Sequence, residues 1–200
     1  MSAEPSPKAK PMGAFQSAWY RLALLFFATY LIVFWFVAGP GNPWYALMVA
    51  WGTCSLEPAV PASLMRRVPR QWLRVPAGER VLHRIAGIGL FGWLLDVSGW
   101  NRLIKPLRGF PGTKAGLQSL EEHARFGAIA HGICFAIHLL LAVLALFSRR
   151  AWIAALWMLL PGVVVHLYPV LLQRSMLLRL QPLIARPGRA GIVDTRVSPH

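Results

Sequence analysis

The chain has 200 residues, 56% of them hydrophobic and only 14% charged, with a mean hydropathy of +0.49. An average soluble domain is about a quarter charged, so this composition argues against a water-soluble fold and for lipid as the solvent. The formal net charge of +14, from 21 Lys and Arg against 7 Asp and Glu, would suggest nucleic acid in a soluble chain; beside long apolar runs it points to anionic lipid head groups instead.

Residues 1–15 are rich in Pro, Ala and Lys and read as a disordered cytoplasmic tail. Residues 16–186 read as a single membrane domain, and 187–200 as a polar tail. Trp19 to Ala38 is the clearest apolar run, with Arg21 near its start, where it can snorkel. It is too long for a signal-peptide core, and the uncharged turn at Gly39–Pro43 leads into further membrane sequence. A second span is expected over residues 44–63, interrupted by Glu57, Pro58 and Pro61.

Residues 64–116 carry ten Lys and Arg, among them Arg67, Arg80 and Arg84, and read as a basic amphipathic loop. Within it, Gly78 to Leu95 is expected to lie along the membrane interface as a helix with Gly interruptions. Spans three and four are expected over 126–147 and 152–172, with Pro161 kinking the latter. Residues 173–186 read as a separate basic interfacial helix. The expected fold is therefore all-α: a polytopic integral membrane bundle of about four transmembrane helices. Basic residues crowd the tails and the loop 64–116, which places both termini in the cytoplasm and the chain in the cell inner (plasma) membrane.

Cys54 and Cys134 lie in apolar stretches with no zinc-like spacing, so neither a metal site nor a disulfide is expected. The histidines carry more. At about 100° per residue, His131 and His138 share one face of span three with the small residues Gly127, Ala128 and Cys134. Such a face packs helices closely, yet ionisable groups at membrane depth are also functional candidates. His131 follows the inner start of span three, and His166 precedes the inner end of span four by a similar distance. In antiparallel neighbours the two fall at one level, with Gln173 and Arg174 just below and Glu57 within reach. A histidine in an apolar shell with basic groups at its mouth suits a lipid substrate and an anionic or thioester donor.

The order of several short motifs resembles a known family. Arg67-Val-Pro-Arg-Gln-Trp-Leu-Arg74 followed by Glu79-Arg80-Val-Leu-His-Arg-Ile-Ala-Gly-Ile88 resembles its opening motif. His131 matches the His of its E-x-x-H helix start, and Tyr168-Pro-Val-Leu-Leu-Gln-Arg174 resembles its Gln-Arg segment. This is the family of glycosyl-diaponeurosporenoate acyltransferases of carotenoid biosynthesis. The resemblance spans residues 66–180, with gaps. It implies transfer of an acyl group to a hydroxyl of a lipid glycoside, with an acyl donor such as acyl-CoA as co-substrate and no bound cofactor. His131 becomes the general base, with Gln173, Arg174, Glu57, Arg67, Arg80 and Arg84 binding substrate. The family's Glu is Ala128 here and its Asn is His166, so His166 or Glu57 would stand in for the acid. Two other readings compete: a non-enzymatic membrane subunit or lipid-binding module, and a b-type cytochrome with His131 or His138 and His166 as axial ligands. Membrane lipids with anionic head groups are partners in the first two.

Overall fold

The computed structural model describes residues 14–56, 67–103 and 114–185. The described residues are helical or turn-like, with no strand among them. They divide into two compact units. The first holds residues up to Pro61 and Ala136–Gly162; the second holds Ala62–Phe135 and the chain from Val163 onward.

The first unit opens with α1 (Ala14–Val37) and α2 (Pro43–Leu56). Their turn is written in the sequence. Gly39 takes a φ of +78°, which closes α1 with amides of Ala38 and Gly39 bonded back to Phe34. Asn42 then caps α2, its Oδ1 accepting the Trp44 amide at 2.9 Å, and Pro43 sits at the first helical position, where no N–H is needed. Gly52 lets α2 meet the ring of Phe27, which a Cβ there would overlap. The end of α5 (Lys114–Ala145) and α6 (Ala151–Gly162) complete the unit. Its core joins Tyr45, Ala46 and Val49 of α2 with Ala142 and Ala145 of α5 and Ala154 and Met158 of α6. Tyr45 reaches the carbonyl of Leu31 at 2.9 Å, so its buried hydroxyl is satisfied. Large apolar side chains such as Phe26, Phe36 and Trp51 point outward.

In the second unit a 3₁₀ turn (Arg70–Leu73) precedes α3 (Glu79–Ile85) and α4 (Ile88–Val97). The helix with Gly interruptions expected over Gly78 to Leu95 is two helices, interrupted where Gly87 adopts a φ of +67°. Both pack on α7 (Tyr168–Ala185). Phe91 meets the ring of Tyr168 with centroids 5.0 Å apart, and Gly92 lies against Leu172. Val75, Ala124 and Leu177 form the buried core, flanked by Met176 and Leu178.

Between α6 and α7 the chain makes one π-helical stretch, Val163–Leu167. Pro169 explains the widening: in an α-helix its ring would press on the carbonyl four residues back and leave that carbonyl without a donor. The helical path therefore runs on from Ala151 to Ala185, 35 residues. The separate interfacial helix expected over 173–186 is instead continuous with span four as far as Ala185.

Among the described residues, two helices are long and apolar enough to cross a bilayer: Gly116–Ala145, of 30 residues, and Ala151–Ala185. Only 33% and 22% of their most apolar windows are buried, unlike the core helix of a soluble protein. Helix α1 contributes an apolar helix Arg21–Val37 of 17 residues, and α2 runs 14 residues to Leu56, both below that length. The expected second span continues into residues 57–63, which lie outside the described residues.

Candidate functional site

The second unit brings the two singled-out histidines together. His131 sits on α5 and His166 on the π stretch, with their Nδ1 atoms 3.3 Å apart and ring centroids 5.6 Å apart. His166 is fully buried, whereas His131 is half-buried. Small residues make this approach possible: on α5, Ala124, Ala128, Ala130 and Cys134 are all buried. One of the two Nδ1 atoms must carry a proton for the contact to be a hydrogen bond. When His131 donates, its Nε2 is left as a base, and His166 plays the orienting part that a carboxylate plays in a hydrolase triad.

One turn before His131 lies Gly127, and against it rests the amide of Gln173. A Cβ at Gly127 would stand 3.0 Å from Gln173 Nε2 and 3.2 Å from its Cδ. The Oε1 of Gln173 is buried and accepts no hydrogen bond among the described residues. Orphaned buried acceptors are uncommon, and a water or a ligand donor is what satisfies such a group.

Arg174 does not stand free. Its Nε donates to Glu79 Oε2 at 2.8 Å and its Nη2 to Oε1, a two-pronged pair across 95 residues of sequence. Glu79 also faces His83, one turn along α3, with His83 Nε2 at 3.8 Å from its Oε2. His83 is only 6% exposed, and neither ring nitrogen has a hydrogen-bond partner among the described residues. Burial pushes its imidazole below the ordinary value; the Glu79 carboxylate raises it in part, and Arg174 lowers it further. Arg67, Arg80 and Arg84 are exposed. Glu57, the other expected acid, lies outside the described residues.

Glu79 and His83 are the residues that sequence reasoning passed over. Their signal was present: Glu79 is one of only 7 acidic residues in the chain, and His83 follows it at helical spacing. No group of three His, Cys, Asp or Glu able to hold a metal occurs among the described residues. The two histidine Nδ1 atoms face each other too closely for a metal ion to sit between them.

No curated protein and no solved structure matches the chain. The family model for glycosyl-4,4'-diaponeurosporenoate acyltransferase does match it, over residues 61–186. That stretch contains the histidine pair, Gln173 and the Glu79–Arg174 bridge, and it covers more than half the sequence. The chain therefore belongs to the glycosyl-4,4'-diaponeurosporenoate acyltransferase family.

Proposed function

We propose that this protein esterifies a hydroxyl of a lipid or carotenoid glycoside, drawing the acyl group from a cytoplasmic thioester donor such as acyl-CoA. The observation that carries the reading is the contact of His131 with a fully buried His166 inside the family-matched region. His131 takes the proton of the acceptor hydroxyl at Nε2 as the oxygen attacks the thioester carbonyl. The carbon–sulfur bond then breaks, and the proton passes to the departing thiolate. His166 holds the ring and its tautomer, a role a neutral imidazole fills less strongly than a carboxylate. Gln173 Oε1 offers an acceptor to a donor group on the bound substrate. The exposed Arg67, Arg80 and Arg84 meet phosphates of donor or head groups at the cytoplasmic surface.

In this reading α1 and α2 form a further membrane hairpin beside the two long helices, giving four crossings with both termini in the cytoplasm. The outward-facing Phe26, Phe36 and Trp51 support lipid contact. A second reading, a non-enzymatic lipid-binding subunit, draws on Ala128, a buried alanine where the family carries its acid. Lipid profiling of the host separates the two. Deletion should remove an acylated glycolipid, the wild-type gene should restore it, and His131→Ala at equal abundance should not. An unchanged lipid profile on deletion would leave the subunit reading in possession.

A further inference from the structure

The Glu79–His83–Arg174 cluster is not used in that chemistry, and its bonding is unbalanced. Arg174 commits both prongs of its guanidinium to Glu79, while His83 lies buried beside the same carboxylate with neither ring nitrogen hydrogen-bonded among the described residues. A buried ring nitrogen left unbonded has lost its water without gaining a partner, which destabilises the resting arrangement. The cluster is open at its rim and closed at its floor: the side chains of Glu79 and Arg174 are 21% and 22% exposed, and that of His83 is 7% exposed.

We propose that these three residues form a switchable phosphate-binding site, in which an incoming phosphate takes Arg174 and Glu79 turns to His83. Atoms and charges balance simply. The phosphate oxygens replace the carboxylate as acceptors of the two Arg174 N–H bonds. The freed carboxylate then closes the 3.8 Å gap to His83 Nε2, and the ring takes up one proton from solvent to become an imidazolium that donates from Nε2 and supplies the countercharge. Without that proton, displaced Glu79 would be a carboxylate with no cation; with it, both rearranged contacts are ion pairs. The groups that act on His83 are Glu79 on its own helix and Arg174 on α7. On α4, the other helix packed against α3, the one ionisable residue is Asp96, which is exposed and bonded to Asn101. Arg80 and Arg84 of α3 are exposed and raise the local concentration of anions.

The phosphate can come from a soluble donor or from a lipid head group. The site rests on the acyl-donor reading only for the first of these sources. Titration calorimetry on the full chain in zwitterionic detergent distinguishes them, with coenzyme A as one probe and a short-chain phosphatidic acid as the other. Run near neutral pH in two buffers of different ionisation enthalpy, it counts protons as well as affinity. The expected result is uptake of about one proton per phosphate bound for one of the probes, since His83 starts neutral. Arg174→Gln should weaken that binding by about 10–100-fold, the worth of a charge-assisted hydrogen bond. Glu79→Gln should tighten it, because the internal competitor is gone, and His83→Phe should abolish the proton uptake. The wild-type proton count needs no variant and so survives any folding defect. Binding without proton uptake, binding indifferent to Arg174→Gln, or no binding of either probe would each overturn the switch. None of these measurements reads turnover, so esterification can stand or fall separately.

Discussion

The Nδ1–H of His138 donates to the carbonyl of Met158 at 2.8 Å, joining α5 to α6 within the first unit. His138 is fully buried, and its side chain fills the space above Gly162, where a Cβ would come within 2.6 Å of His138 Cβ and 2.7 Å of Cγ. This histidine is a packing group. Gly162→Ala should destabilise the protein by about 1–3 kcal/mol through overpacking, and His138→Ala by a similar amount through the lost bond and cavity. Thermal unfolding in detergent checks both. Acyl transfer per folded molecule should stay near wild type, and a selective loss of turnover in His138→Ala would make it part of the chemistry.

His131 and His166 should behave differently from His138 and from each other. His131→Ala should lower kcat by about 10²–10⁴-fold, the usual worth of a general base. His166→Gln keeps a polar side chain beside His131 but loses the imidazole, so kcat should fall by less while KM for both substrates holds. Steady-state kinetics with purified protein reads the split. Equal losses in KM from both variants would recast the pair as a binding element.

Two glycines on α5 make a matched pair. A Cβ at Gly132 meets nothing within 4 Å, so Gly132→Ala should be neutral or stabilise by up to about 1 kcal/mol. Gly127→Ala pushes directly on the Gln173 amide, 3.0 Å away, and should raise KM for the acceptor several-fold with little change in unfolding temperature. Equal kinetics for the two variants would remove Gln173 from substrate binding.

His83 also gives the protein a pH signature. Burial holds its folded-state value below the ordinary 6.5 of the unfolded chain. As pH falls through that ordinary value, the unfolded chain binds a proton that the folded chain does not, so stability drops on acidification from about neutrality downward. His83→Phe should flatten this part of the stability profile in chemical denaturation followed across pH. A profile unchanged by the substitution would mean that His83 titrates alike in both states.

Membrane topology is the remaining test. Reporter fusions at residue 41 should signal from outside the cytoplasm, and fusions at residue 90 from within it. A periplasmic signal at residue 90 would undo the four-crossing reading and the cytoplasmic placing of the cluster.

The meeting of His131 with His166 was legible in the sequence because it needs only two antiparallel helices and a constant rise per residue. The turn before α2 was legible too, since Gly39, Asn42 and Pro43 each impose a local geometry. The Glu79–Arg174 bridge was not, because it spans 95 residues and depends on how α3 folds back on α7. Gly interruptions over Gly78 to Leu95 were legible, but not which glycine breaks the helix, because Gly87, Gly89 and Gly92 all fit the pattern and only Gly87 takes a positive φ. Nothing periodic announces the π stretch, as Pro169 signals only that the regular ladder fails somewhere before it.

That stretch bears on what the helix can tolerate in evolution. A π turn is in effect one residue inserted into an α-helix, and within the second unit it shifts by roughly 100° the angle about the helix axis between His166 and the side chains of α7. His166 of the stretch faces His131, while Gln173, Arg174 and Leu177 after it face Gly127, Glu79 and Val75, and the extra residue sets the angle at which one helix serves both groups. Deleting one of the three consecutive valines, Val163 to Val165, would leave a chain of nearly identical composition and hydropathy. It would nonetheless put His166 out of step with the amide, the guanidinium and the core leucine, so that the helix could no longer meet all four partners at once, a loss that no single substitution at those partners reproduces.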